Sequence, residues 1–161
     1  DPDKAVDHVE ALSTFFRSML LVRDKELIPL AEELELLKGY FDLEHRRFGR
    51  AITLTIHAER LSQNQTIVPL TLQMLVENAL KHNVATVQDP LVVAVQVEAD
   101  EVVVRNDLRP RSAPAHSTGF GLQSIIQRYT AFGPRAVVVE RHGGRFVVRI
   151  PILQHNEDSD R

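Results

Sequence analysis

The sequence predicts an α+β fold: a two-layer α/β sandwich with a mixed, largely antiparallel sheet, helices on one face, and a helix in front of it. Three observations predict this. Helical and alternating apolar patterns follow one another as helix, helix, strand, helix, strand, strand, loop, helix, strand, strand. The strands occur as hairpin pairs as well as between helices, which mixes antiparallel with parallel pairing. The chain has 161 residues, 43% hydrophobic and 25% charged, the proportions of a globular domain with one core.

Each element has its own signal. Val6, Val9, Leu12, Phe16 and Met19/Leu20 recur at helical spacing, so residues ~4–22 read as a helix apolar enough to pack against a partner. Pro29 suits the first turn of a second helix, with Glu32 and Glu33 near its positive end. Leu30, Leu34, Leu37 and Phe41 mark that helix's buried side, and Gly49 ends it. "AITLTIHAE" alternates and is β-branched, hence a strand, and "RLSQNQTIV" reads as a polar linker. Pro69 opens a third helix, "PLTLQMLVENALKHN". "LVVAVQVEA" and "EVVVRN" are strands joined around Asp100–Glu101. Residues ~107–118, with two prolines and no periodicity, form a long loop, a place where function concentrates. A fourth helix runs from Gly121 or Leu122 to Phe132, and a terminal hairpin turns at Gly143–Gly144. The tail from Gln154 reads as disordered.

Composition narrows the function. A net charge of −3 gives no bulk attraction to nucleic acid or anionic membrane. The absence of cysteine excludes disulfides and thiolate metal sites. The apolar runs are too short to span a bilayer, and no signal peptide is visible. The chain opens inside a helical pattern, so we expect it to be a piece of a longer protein.

On a helical wheel, Leu72, Leu75, Val76, Ala79 and Leu80 of the third helix share one side. Glu77, Asn78 and Lys81 fall opposite, with His82 at the edge beside Asn78. Two readings of this outer side stand: the wet face of an amphipathic helix, or a Mg-nucleotide site. For the second, an amide oxygen suits a hard cation such as Mg²⁺ that shares phosphate oxygens. A neighbouring lysine supplies mobile positive charge. His82 can donate to the same group, and a carboxylate can orient a metal-bound water or take a proton.

Phosphates need close backbone N–H groups. "STGFGLQSIIQRY" places Gly119 and Gly121 around Phe120 at the start of a helix, after a loop able to close as a lid. That pattern also suits a simple turn. A base would lie near the end of "VVVRN", where Asn106 offers a carbonyl and Asp107 a carboxylate, or the pair is merely a turn.

Together these segments resemble the GHKL ATPases, and among them the sensor histidine kinases of the LytS type. The family's N-box, "P-x-x-x-Q-x-L-V-E-N-A-x-K-H", is similar to "PLTLQMLVENALKH" at Pro69–His82. Its G-box resembles "GFGLQSIIQRY" at Gly119–Tyr129, with Gln123 where Asn is usual. "ELIPLAEELELLKGYFDLEHRRFG", "ALSTFFRSML" and "RFVVRIPI" resemble the linking segment, the second bundle helix and the last strand, so the likeness covers roughly residues 5–153.

The resemblance implies roles. Asn78 is the Mg²⁺ ligand, Glu77 assists its water shell or a proton transfer, and Lys81 and His82 touch phosphate or ribose. Thr118, Gly119, Phe120, Gly121 and Leu122 cap the phosphates of ATP, and Asn106 stands where an aspartate usually recognises adenine. It also implies transfer of the γ-phosphoryl group to a histidine and on to a response regulator, in a homodimer formed through the phosphoacceptor bundle. No nucleic-acid partner is implied, and the membrane enters only through upstream segments, leaving a cytoplasmic domain of an inner-membrane-anchored sensor. The expected division is residues 1–24 for part of the bundle, 25–153 for the ATP-binding domain and 154–161 for a tail.

Three departures accompany the match. The acidic-box glycines are absent from "VRNDLRPR", and "GGRF" lacks the threonine of the family's last hairpin. None of the seven histidines sits in the family's acceptor context, so the acceptor is expected upstream of Asp1. Two alternatives remain: a nucleotide-binding or interaction module without kinase activity, and a hydrolase. The hydrolase's base carboxylate would stand one turn before Asn78, where this chain has Met74.

Overall fold

A computed structural model describes residues 2–112 and 120–154. Helix α1 spans Pro2–Val22, α2 Leu30–Phe48, α3 Thr71–His82 and α4 Phe120–Thr130. Strands are β1 Ile28–Pro29, β2 Ile52–His57, β3 Gln65–Ile67, β4 Leu91–Val97, β5 Glu101–Asp107, β6 Val138–His142, β7 Arg145–Pro151 and β8 Leu153–Gln154.

The main sheet has the order β2-β4-β5-β7-β6, with β2 parallel to β4 and the other pairs antiparallel. Strand alternation sorts its residues between two faces. Ile52, Leu91, Val93, Val95, Val102, Val104, Val148 and Ile150 join the core under α2, α3 and α4. Thr53, Val92, Arg105 and Asp107 stand on the opposite, exposed side. The α+β sandwich with helices on one face is thus the observed architecture.

A second, three-stranded sheet, β1-β3-β8, was not expected. Its middle strand lies inside the segment read as a polar linker. Gln65 and Thr66 are buried there, and the Thr66 hydroxyl donates to Leu153 O at 2.8 Å. Gln154, assigned to the tail, is paired with Gln65, while residues 155–161 lie outside the described residues.

Helix boundaries also differ: α4 starts at Phe120 and ends at Thr130, two residues short of Phe132, and the starts of α2 and α3 shift. Pro29 is the N-cap of α2 rather than a residue of its first turn. Pro69 precedes α3 by two residues, because Leu70 adopts a left-handed conformation (φ 63°) that reverses the chain before Thr71. Glu33, expected to serve its own helix, is buried and serves α3 instead.

Helix α1 packs on α2 through Phe15, whose ring lies 5.9 Å from that of Tyr40 and covers Gly39. Of the predicted stripe, Val6, Val9, Leu12, Phe16 and Leu20 are exposed, whereas Met19 is half-buried beside Gln73 of α3, and Leu12, Phe16 and Met19 border a cleft toward α2 and α3.

Candidate nucleotide site

Helix α3 presents its apolar side to the sheet as the wheel requires: Leu72, Leu75, Val76, Ala79 and Leu80 are all buried. This fixes where the polar side points. Asn78 is half-buried and faces α4. A Cβ built on Gly121 would stand 3.4 Å from Asn78 Oδ1 and 3.5 Å from Nδ2, so the first turn of α4 meets the amide directly. The two motifs, over forty residues apart in sequence, meet where α3 packs on α4.

Lys81 and His82 follow Asn78 at three and four residues, on the same side and in the last turn. Lys81 is exposed and His82 half-buried. Glu77 turns the other way. It borders a cleft of about 780 Å³ between α1 and the α2–α3 pair, beside Phe15, Phe16, Tyr40 and Arg47. Leu122 is half-buried against the core. Thr118 and Gly119 lie outside the described residues, as does most of the loop before them, and of Phe120 only its place at the start of α4 is described.

The structure separates Asn106 from Asp107. Asn106 shares the face of Val102 and Val104, toward the helix layer, and is 5% exposed. Its Nδ2 donates to Asp107 O at 2.8 Å, which orients the amide. Asp107 points to the other face, near Arg109 (3.6 Å) and Arg145 (3.7 Å). Only Asn106 of the pair looks into the layer that holds Asn78.

The positions of α3 and the following loop depend on residues the sequence reading passed over. Asn83 is buried. Its Nδ2 donates to Ala79 O (2.9 Å) and its Oδ1 accepts from Arg109 N (2.7 Å). Arg111 closes the C-terminal end of α3, donating from Nε to Asn83 O (3.1 Å) and from a terminal nitrogen to Leu80 O (3.2 Å). A cation at the negative end of a helix is favourable. The Gly143–Gly144 turn, with φ of 59° and 73°, accepts from Leu108 N at 2.8 Å and so fixes the start of the same loop.

At the other end, Glu33 of α2 reaches the start of α3. Burial pushes its carboxyl up to about 7, against the pull of hydrogen bonds from Leu72 N and Leu70 N and of the Arg128 charge. Burial likewise raises the Tyr129 phenol.

The donor set fits a magnesium nucleotide. An amide oxygen, a lysine, an imidazole and backbone N–H groups at a helix start are hard-cation and phosphate ligands. No cluster of three His, Cys, Asp or Glu exists among the described residues, so a cation here would lean on phosphate oxygens. No helix is long and apolar enough to cross a membrane among the described residues.

Comparison with known proteins defines the class first. Residues 1–52 match the family model described as "Histidine kinase". The cytoplasmic segment of histidine kinase QseC superimposes with a TM-score of 0.56 at 23% identity, covering 96% of each chain. The histidine kinase domain of the Erythrobacter litoralis EL346 blue-light activated kinase gives 0.55 at 23%, covering 91% of this chain and 73% of that one. At such identities the likeness shows the fold, which is that of histidine kinases. Sequence relatives then narrow it. Sensor protein LytS of Bacillus subtilis (strain 168) is 36% identical over 104 residues, 65% of this chain and 18% of the relative. Sensor histidine kinase BtsS of Escherichia coli (strain K12) is 34% identical over 100 residues, 62% and 18%. The chain is similar in sequence to sensor histidine kinases of the LytS type and shares the fold of solved histidine kinases. It spans less than a fifth of the length of the curated relatives it matches.

Proposed function

We propose that this chain is the ATP-binding catalytic part of a two-component sensor histidine kinase. In this reading ATP, held with Mg²⁺, gives its γ-phosphoryl group to an imidazole of the phosphoacceptor bundle, upstream in the family's order. The group then passes to an aspartate of a response regulator. The observation that carries it is the approach of Gly121 to the Asn78 amide where α4 packs on α3.

Each residue has a task that matches its place. Asn78 offers Oδ1 to a hard cation, and Lys81 and His82, one turn on, offset and orient phosphate charge. Backbone N–H groups around Gly121 donate to phosphate at the positive end of α4. Asn106, on the helix-facing side of β5, offers a carbonyl to an exocyclic amino group of the base. Glu77 borders the cleft under α1, and its carboxylate would accept the proton of a bundle imidazole that entered there. Bound magnesium supplies charge compensation between phosphates, and the remaining task of the chain is positioning.

The exposed apolar stripe of α1 fits a homodimer through the bundle, and the domain would work on the cytoplasmic side of a membrane-anchored sensor. Residues 1–24 would then be bundle and 25–153 the ATP-binding domain.

A second reading, a nucleotide-binding or interaction module without kinase activity, draws on one observation: the base position is an amide, one of whose two donor hydrogens is already engaged by Asp107 O. Thermal unfolding with Mg-ATP against ATP plus chelator separates the two. Ligand at 100 times its Kd stabilises by about 2.7 kcal/mol. A magnesium-dependent shift that disappears in Asn78→Ala, with the fold intact, supports the kinase site. No shift in the unaltered chain refutes it.

A further inference from the structure

Glu33 brings a carboxylate into the core, 1% exposed, in the first turn of α2. Its Oε2 accepts from Leu70 N and its Oε1 from Leu72 N, both at 2.8 Å. These are donors at the start of α3, whose own N-cap, Leu70, provides no side-chain bond. A residue of another helix therefore caps α3, its two carboxyl oxygens taking N–H groups that the helix leaves unpaired.

The same segment is held from its other side by the last turn of α4. Arg128 donates to Pro69 O at 3.1 Å, and the Tyr129 hydroxyl accepts from Val68 N at 3.3 Å. Tyr129 is itself buried. Helices α3 and α4 therefore run antiparallel between two points of contact. At one, α4 ends against Val68 and Pro69; at the other, Gly121 meets Asn78. Asn78 lies eight residues beyond Leu70, and Gly121 eight before Tyr129, so each helix covers about 12 Å between the contacts.

A helix is stiff over two turns. Displacement at the capped end is carried to the other, and a slip of one residue takes Gly121 off the amide. We infer that Glu33, acting with Arg128 and Tyr129, is a positioning group that sets the register of α3 against α4, and with it the Asn78–Gly121 separation that nucleotide binding uses. Because α2 follows α1 after only Arg23–Pro29, this cap also gives movement of the first helix a route to the site. The functional half of the inference rests on the proposed ATP site, whereas its structural half does not.

The test pairs Mg-ATP titration calorimetry, well below the melting temperature, with amide resonances of the same samples. Glu33→Gln keeps the shape of the side chain but replaces one acceptor by a donor facing a backbone N–H. We expect it to fold, to bind Mg-ATP about tenfold more weakly, and to shift the Asn78 side-chain and Gly121 backbone resonances. Tyr129→Phe should move the same resonances less, and it carries the test if Glu33→Gln does not fold. Glu33→Asp, which retains the carboxylate, should recover part of the affinity. Unchanged affinity, with shifts confined to residues 68–72, overturns the inference. If the unaltered chain binds no Mg-ATP, the kinase reading fails separately, and the resonances alone decide the register: shifts at Asn78 and Gly121 support it, and their absence overturns it.

Discussion

Gly121 stands against Asn78 so closely that any side chain at position 121 meets the amide first, with a Cβ 3.4 Å from Oδ1. Alanine fits at that distance, and replacing a helical glycine gains up to about 1 kcal/mol of propensity. Gly121→Ala should therefore melt no lower than the parent. Gly121→Val adds two methyls where there is room for one carbon, and overpacking of this kind costs about 1–3 kcal/mol. Its affinity for Mg-ATP should fall further than its stability, because the displaced group is the proposed cation ligand. Calorimetry and urea unfolding on both variants check this; equal affinity in Gly121→Val would reduce the glycine to a helix-packing residue.

The layer arrangement was legible because it rests on local periodicity. The five apolar positions of α3 are buried as read, and the hairpins fall where alternation and turn residues put them. The meeting of α3 with α4 was inferred from motifs, since no local pattern specifies a contact over forty residues apart. What escaped the reading is also long-range. Strand β3 is three residues long and includes Gln65 and Thr66, too short and too polar to show alternation. The cap of α3 comes from Glu33, far upstream, and a carboxylate in the first turn of a helix looks like an ordinary response to the dipole. Asn83 looked like a helix end and is a buried junction. The stripe on α1 was read correctly as apolar, but within this chain only Met19 of it is half-buried, and α1 packs chiefly through Phe15 and Val22.

Glu33 should leave a mark on the pH dependence of stability. Its carboxyl is raised from 4.5 to about 7 in the folded chain. Between these values the unfolded carboxyl is ionised while the native one holds its proton, so the native state binds more protons and stability falls as pH rises. The contribution is complete below about pH 4.5, is lost through pH 7, and amounts to about 3 kcal/mol. Urea unfolding at steps from pH 4.5 to 8 should show this decline in the parent. Glu33→Gln, which cannot ionise, should flatten that part of the curve. A parent profile with the opposite slope that Glu33→Gln does not alter would mean that the carboxylate is ionised throughout.

Asn83→Ala should destabilise by about 1–3 kcal/mol, since it removes a buried amide with partners on both sides and leaves Arg109 N without its acceptor. The loss should spread to the loop after β5, whose backbone is anchored to the end of α3 by Val84 N to Arg109 O and Arg111 N to His82 O. Hydrogen exchange on the variant should show faster exchange at Val84 and Arg111, while strands β4 and β7 keep their protection. Uniform acceleration across the sheet would instead mark a global loss.

Asn106 gives the last prediction because its two polar atoms are not equivalent. One hydrogen of Nδ2 is held by Asp107 O, which sets the orientation of the amide and leaves Oδ1 as the acceptor it can offer a base. An acceptor pairs with the exocyclic amino group of adenine and opposes the carbonyl that guanine carries there. The chain should therefore shift further with Mg-ATP than with Mg-GTP, by about 1–3 kcal/mol, the usual cost of leaving a buried polar group without its partner. Asn106→Ala should shrink that difference while keeping a magnesium-dependent response, since Asn78 and Gly121 are untouched. Asn106→Asp would set a carboxylate oxygen against the Asp107 carbonyl in place of a donor, and it should unfold more easily than the parent. Differential scanning fluorimetry with both nucleotides, in the presence and absence of magnesium, reads all of these effects. An ATP preference unchanged in Asn106→Ala would move base recognition away from the end of β5.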